Sequence, residues 1–82
     1  MNFIKEENKV YLEDENKNVI AEIEYEKLEN NVYNIYHTFV DESLRGQGVA
    51  SKLVEEAVKE IKSIGGKVKA TCSYAMAWLE KH

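Results

Sequence analysis

Residues 32–63, VYNIYHTFVDESLRGQGVASKLVEEAVKEIKS, decide the fold. Val32 to Val40 is dense in Val, Ile, Tyr and Phe, the residue types that suit a pleated, half-buried surface. Alternation puts Tyr33, Ile35, His37 and Phe39 on one face and Asn34, Tyr36 and Thr38 on the other. Neither face is simply polar, which predicts a strand near the centre of a sheet. From Gln47 the period changes: Val49, Leu53, Ala57 and Ile61 fall four apart, with Ala50, Val54 and Val58 beside them. Lys52, Glu55, Glu56, Lys59 and Lys62 lie opposite, the pattern of an amphipathic helix. Between strand and helix stands a loop with two glycines one residue apart, Gly46 and Gly48.

Outward from this unit, Gly65-Gly66 ends the helix. Lys67 to Thr71 reads as a further strand, and Tyr74 to Lys81 as a short closing helix with Ala75, Trp78 and Leu79 inward. Toward the N-terminus, Val19, Ala21, Ile23 and Tyr25 alternate with Glu22, Glu24 and Glu26, a strand with one wet face. Phe3–Lys5 and Val10–Leu12 form a hairpin about Glu7-Asn8-Lys9, and Asp14–Asn18 and Glu29–Asn31 are turns. The order is four strands, helix, strand, helix. A helical connection between the fourth and fifth strands implies a parallel pair in an otherwise antiparallel sheet. The expected fold class is therefore α/β (α+β), a mixed, mostly antiparallel sheet of about five strands with a central amphipathic helix and a short C-terminal one.

With 82 residues, no repeat and no proline, the chain is expected to be a single domain over 1–82. Residues 1–32 hold nine acids and four lysines, and residues 33–82 six acids and seven bases, for a net charge of −4. That balance fits a solvated acidic sheet face or the attraction of a cationic substrate. No basic stripe exists to neutralise a phosphate backbone, so nucleic acid is not expected as a partner. Neither a spanning run nor a signal-peptide core is visible, and a lone cysteine, Cys72, gives no internal disulfide. A soluble, cytoplasmic protein is expected, with no membrane partner. An exposed sheet edge in so small a domain allows a monomer or a weak homodimer.

Glycines at a helix start let backbone approach a ligand closely, and the first helical N–H groups lack partners within the helix. The helix dipole and the charge of Arg45 complete an anion site suited to a diphosphate. The Gly-Lys-Ser/Thr ending of a Walker loop is missing. A dinucleotide fingerprint would need Gly or Ala where Ser51 stands and an acid near position 68, which is Val. A glycine-rich turn without any ligand is the plainer alternative.

Arg45-Gly46-Gln47-Gly48-Val49-Ala50 resembles the Arg/Gln-x-x-Gly-x-Gly/Ala signature of the GNAT superfamily of N-acetyltransferases. His37-Thr38-Phe39-Val40 and Thr71-Cys72-Ser73-Tyr74 look like a small single-domain family of that superfamily with His-Thr-x-Val and Thr-Cys-x-Tyr motifs. The likeness is direct over 37–54 and 71–74. It implies that Arg45, Gly46, Gln47, Gly48, Val49 and Ala50 grip the pyrophosphate of acetyl-CoA. It also implies that the backbone of Phe39, Val40 and Asp41 pairs with the pantetheine arm, with an N–H near Val40 polarising the thioester carbonyl. The implied reaction is acetyl transfer to a small-molecule or protein amine. The chain has no room for the helices that larger members place between their first two strands, where the acceptor pocket usually forms. The alternative is a coenzyme A-binding or sensing module without efficient transferase activity.

Three side chains are candidates for the chemistry. His37 has an imidazole able to take a proton from an ammonium group, or it is a core histidine bonded to backbone. The resemblance places Cys72 near the thioester, where it would be an acetyl acceptor, a proton donor to the leaving thiolate, or a packed thiol. Tyr74 stands where larger relatives carry a tyrosine acid, and otherwise belongs to the core or rim. No His, Cys or carboxylate set shows metal-ligand spacing along the chain, so no metal is expected.

Overall fold

A computed structural model describes residues 2–82. Five strands lie in chain order, β1 (Ile4–Glu6), β2 (Lys9–Glu13), β3 (Val19–Lys27), β4 (Val32–Val40) and β5 (Lys67–Ala70). Neighbours are antiparallel except β4 and β5, which run parallel. Helix α1 (Val49–Ser63) makes the β4–β5 connection, and α2 (Ser73–Lys81) follows β5. The α/β architecture expected from the sequence is the observed one. β4 is flanked on both sides but sits one strand in from the edge, so the central position belongs to β3.

Helix α1 covers one face of the sheet. Val49, Leu53, Val54, Ala57, Val58 and Ile61 bury against Val10 and Leu12 of β2, Ala21, Ile23 and Tyr25 of β3, and Tyr33 and Ile35 of β4. Removing these side chains from water is the main stabilising term, at roughly 1.5–3 kcal/mol for each large aliphatic fully buried. Glu56 does not simply face solvent: it takes Lys5 Nζ at 3.0 Å across the helix–sheet seam. Past Ser63, Gly65 adopts φ +80, and the Gly65 and Gly66 amides donate to the carbonyls of Lys62 and Ile61 at 3.0 and 2.9 Å. This left-handed closure stops the helix and aims the chain into β5.

Two irregularities correct the face assignments made from alternation. In β2–β3 the register slips at Leu12/Glu13, and Val19 ends up 39% exposed instead of inward. In β3–β4 the pairing runs Ile23 with Thr38 and Glu24 with His37, then Tyr25 with Ile35. Tyr36 is the extra residue of a β-bulge. Beyond it every side chain of β4 changes face, because the side-chain period is two. Thr38 and Val40 therefore turn toward α1, opposite buried Ile23 and Ala21, while His37 and Phe39 point to the bare face. His37 is not a core histidine packed beside Ile35.

Candidate functional site

The pairing of β4 with β5 ends at Ile35 and Ala70, where the amides of Thr71 and Cys72 both donate to the Ile35 carbonyl. The chain then enters α2, and on that side β4 runs on for five residues with no strand paired to it among the described residues, while β3 still flanks its other edge. Which backbone groups this edge presents follows from the register. The Asp41 amide donates to the Ile20 carbonyl at 2.8 Å, so Phe39 and His37, in step with it, direct their backbone polar groups to β3, while the Asp41 carbonyl accepts from the Leu44 amide at 3.0 Å. Thr38 and Val40 direct theirs to the vacant side. Of the three backbone positions expected to meet a ligand, only Val40 faces it with its amide; Phe39 and Asp41 are committed to the sheet.

Against that edge lies a cleft of about 380 Å³, lined by Thr38, Val40, Leu44, Arg45, Gly46, Gly48, Val49, Ala50 and Tyr74. Its floor is the strand, its wall the loop and first turn of α1, and its far side the start of α2. Gln47, expected here, is exposed, and its side-chain amide donates to the Ser43 carbonyl at 3.4 Å. Leu44 and Thr38 line the cleft without having been singled out from the sequence. Only the bulge turns Thr38 inward, and no local pattern reveals a bulge at Tyr36.

The loop is built for close backbone approach. Asp41 accepts from the Ser43 amide and hydroxyl at 3.0 and 2.6 Å, closing the single 3-10 turn Glu42–Leu44. The Ser43 hydroxyl bond above all, then the Ser43 amide, hold the Asp41 carboxyl below its ordinary range. Gly46 and Gly48 have φ +83 and +72, conformations that cost an L-residue about 1–2 kcal/mol. A Cβ on either would meet nothing within 4 Å, so backbone conformation alone demands glycine. Gly48 is the N-cap of α1 and offers no side chain to the first turn, whose ladder begins with Lys52 N–H to the Gly48 carbonyl at 3.2 Å. The amides of Val49, Ala50 and Ser51 are left to an external acceptor. No acid stands in that turn, and Arg45 adds a full positive charge at the cleft mouth.

Cys72 is the N-cap of α2, half-buried, with Sγ 3.3 Å from the Thr38 hydroxyl. Burial pushes the thiol up, but the Thr38 hydroxyl and the nearby amides of Ala75 and Tyr74 outweigh it, and the thiol titrates below its ordinary value. The approach of those amides is looser than a closed capping bond. Tyr74 is 42% exposed and borders the cleft, so Cys72 and Tyr74 meet beside the vacant edge of β4. Trp78 anchors α2 by donating Nε1–H to Ser51 Oγ at 2.9 Å.

His37 does not join them. It lies on the opposite face of β4, its Nε2 3.1 Å from Glu22 Oε2, and Glu22 also holds Lys9 Nζ at 3.4 Å. Cross-strand pairing brings Glu22, Glu24 and His37 together, with one donor atom from each within 4.8 Å of the others. Spacing along the chain conceals this set. Among the described residues no helix is long and apolar enough to cross a membrane.

Comparison with known proteins places this geometry in context. The family model of GCN5-related N-acetyl-transferases matches residues 9–82. A GCN5-like protein of Staphylococcus aureus, solved by NMR, is 41% identical over 98% of this chain and 78% of its own, with a TM-score of 0.78. Glucosamine-6-phosphate N-acetyltransferase of Arabidopsis thaliana is 26% identical over 78% of this chain and 49% of its own, with a TM-score of 0.61. A GNAT-family N-acetyltransferase of Escherichia coli, crystallised with CoA, shares the fold at 24% identity, over 71% of this chain and 35% of its own, with a TM-score of 0.63. No protein of curated function matches the chain.

Proposed function

We propose, from the premise that this chain belongs to the GCN5-related N-acetyltransferase family, that it binds acetyl-CoA in the cleft beside β4 and passes the acetyl group to an amine. One observation carries the reading. The unpaired edge of β4 at Thr38 and Val40 runs straight into a glycine loop and a helix N-terminus whose amides are free. An extended amide-bearing arm attached to a diphosphate matches that surface along its length. The E. coli protein of this fold holds CoA, which supports the choice of ligand.

In this reading the amides of Val49 and Ala50, the loop glycines Gly46 and Gly48, and Arg45 take the pyrophosphate, while Gln47 stays tied to the loop. The pantetheine arm pairs with the edge of β4, and the Val40 N–H donates to the thioester carbonyl, stabilising the oxyanion that forms on attack. A neutral amine attacks the carbonyl carbon, a C–N bond forms and the C–S bond breaks. The departing thiolate takes a proton from an acid, and the proton shed by the nitrogen returns through solvent to that acid. In the proposed reaction Tyr74, which lines the cleft, supplies the thiolate's proton. The depressed Cys72 thiol supports a two-step variant in which its thiolate first takes the acetyl group and releases CoA. His37 accepts the amine proton only if the acceptor enters from the face opposite α1.

That separation favours a second reading, a coenzyme-binding module without efficient transfer. His37 and the cleft residues lie on different faces, and among the described residues no element covers the bare face. An amide NMR titration with acetyl-CoA and with CoA tests binding. Saturable shifts over 38–50 and 72–74 are expected, with a difference at Cys72 between the two ligands. No saturable shift at millimolar ligand refutes both readings, and binding without turnover on a panel of amines leaves the second. A Cys72→Ala variant that loses the acetyl-enzyme mass supports the two-step route; full activity in that variant removes it.

A further inference from the structure

On the face that α1 leaves bare, strand pairing sets Glu24 directly opposite His37, and Glu22 stands two residues before Glu24 on the same side. All three are half-buried, and one ligand atom of each lies within 4.8 Å of the other two. We propose that Glu22, Glu24 and His37 form a binding site for a divalent transition-metal ion of the zinc type, separate from the cleft. The donor set selects the metal class: an imidazole nitrogen with two carboxylate oxygens suits zinc, whereas magnesium and calcium favour oxygen alone.

The distances fit. Zinc binds such donors at about 2.0–2.2 Å, so the donors of a tetrahedral site lie roughly 3.3–3.6 Å apart. His37 Nε2 and Glu22 Oε2 are already 3.1 Å apart. Glu24 has no ion pair or hydrogen bond of its side chain among the described residues, so a rotation about its own bonds brings it to the ion without breaking anything. The fourth position faces solvent and suits water. Lys9 reaches the other oxygen of Glu22, Oε1 at 3.4 Å, and leaves Oε2 to the metal. Lys9 thereby steadies the ligand while its charge opposes the ion.

This inference does not rest on acetyl transfer, and its test uses the coenzyme-free protein. Calorimetric titration with Zn²⁺ is expected to give one saturable site, with amide NMR shifts centred on residues 22, 24 and 37. His37→Gln and Glu24→Gln, both on the solvent-facing side and checked for an intact amide spectrum, are each expected to weaken binding by at least about tenfold. Lys9→Met is expected to tighten it by removing the opposing charge. Cys72→Ser is expected to leave it unchanged, and the near-ultraviolet spectrum of the Co²⁺ form should carry no thiolate charge-transfer band. No saturable binding at millimolar Zn²⁺, or affinity unaffected in both His37→Gln and Glu24→Gln, overturns the proposal. Loss of the site in Cys72→Ser overturns it too.

Discussion

Replacing Thr38 with Val should raise the pKa of Cys72 and slow its alkylation. The two residues are brought together only by the bulge, with Sγ 3.3 Å from the hydroxyl. Burial pushes the thiol up and the Thr38 bond is the leading opposing influence, so its removal moves the thiol upward. A single hydrogen bond contributes about 0.5–1.5 kcal/mol net. At about 1.36 kcal/mol per tenfold, that is roughly a two- to twelvefold change in the thiol–thiolate equilibrium. Because Cys72 is only half-buried, solvent screening favours the lower half of the range. Well below the midpoint, the thiolate fraction and hence the rate with iodoacetamide should fall by about two- to fivefold. The assay is the pH profile of alkylation followed by mass, which separates a displaced midpoint from a changed limiting rate. Thr38→Ser, which restores the hydroxyl, should restore the midpoint. A midpoint unmoved or lowered in a folded Thr38→Val protein would refute the reasoning, leaving the helix N-terminus as the sole source of the shift.

Gly48→Ala introduces strain at φ +72 without a steric clash, so it should cost about 1–2 kcal/mol in urea denaturation and leave the fold intact. Its affinity for acetyl-CoA by calorimetry should nonetheless drop, and an unchanged affinity would remove the pyrophosphate from this loop. Gly66→Ala has the opposite character: its Cβ would stand 2.6 Å from Tyr33 Cδ1 and 2.8 Å from Ile61 Cγ2. Overpacking of that kind costs about 1–3 kcal/mol, read as a lower urea midpoint with little effect on the cleft. The Asp41 carboxyl is held below its ordinary 3.8 chiefly by the Ser43 hydroxyl, so Ser43→Ala should raise it in a carbon-detected NMR titration. Since the folded pKa is the lower one, the stabilisation is present above 3.8 and disappears as pH falls through the folded value. Loss of order in 41–44 is therefore expected below pH 3.8 and not above it.

Much of this protein was legible from residues taken in order. The 3.6 period of Val49, Leu53, Ala57 and Ile61, the glycine stop at Gly65-Gly66 and the alternation of Ala21, Ile23 and Tyr25 are local patterns, and they specified the elements and their sequence along the chain. The glycine loop between strand and helix was equally local, and with it the family. What the chain alone did not determine is which face each residue of β4 serves. A bulge arises from pairing with β3, and one extra residue at Tyr36 reverses every side chain beyond it. That reversal put Thr38 against Cys72 and moved His37 to the far side, beside Glu22 and Glu24. Neither contact has a signature in spacing, because each joins residues distant in sequence through the register of a ladder. Local periodicity settled the elements; the register, a property of two strands at once, decided which residues meet.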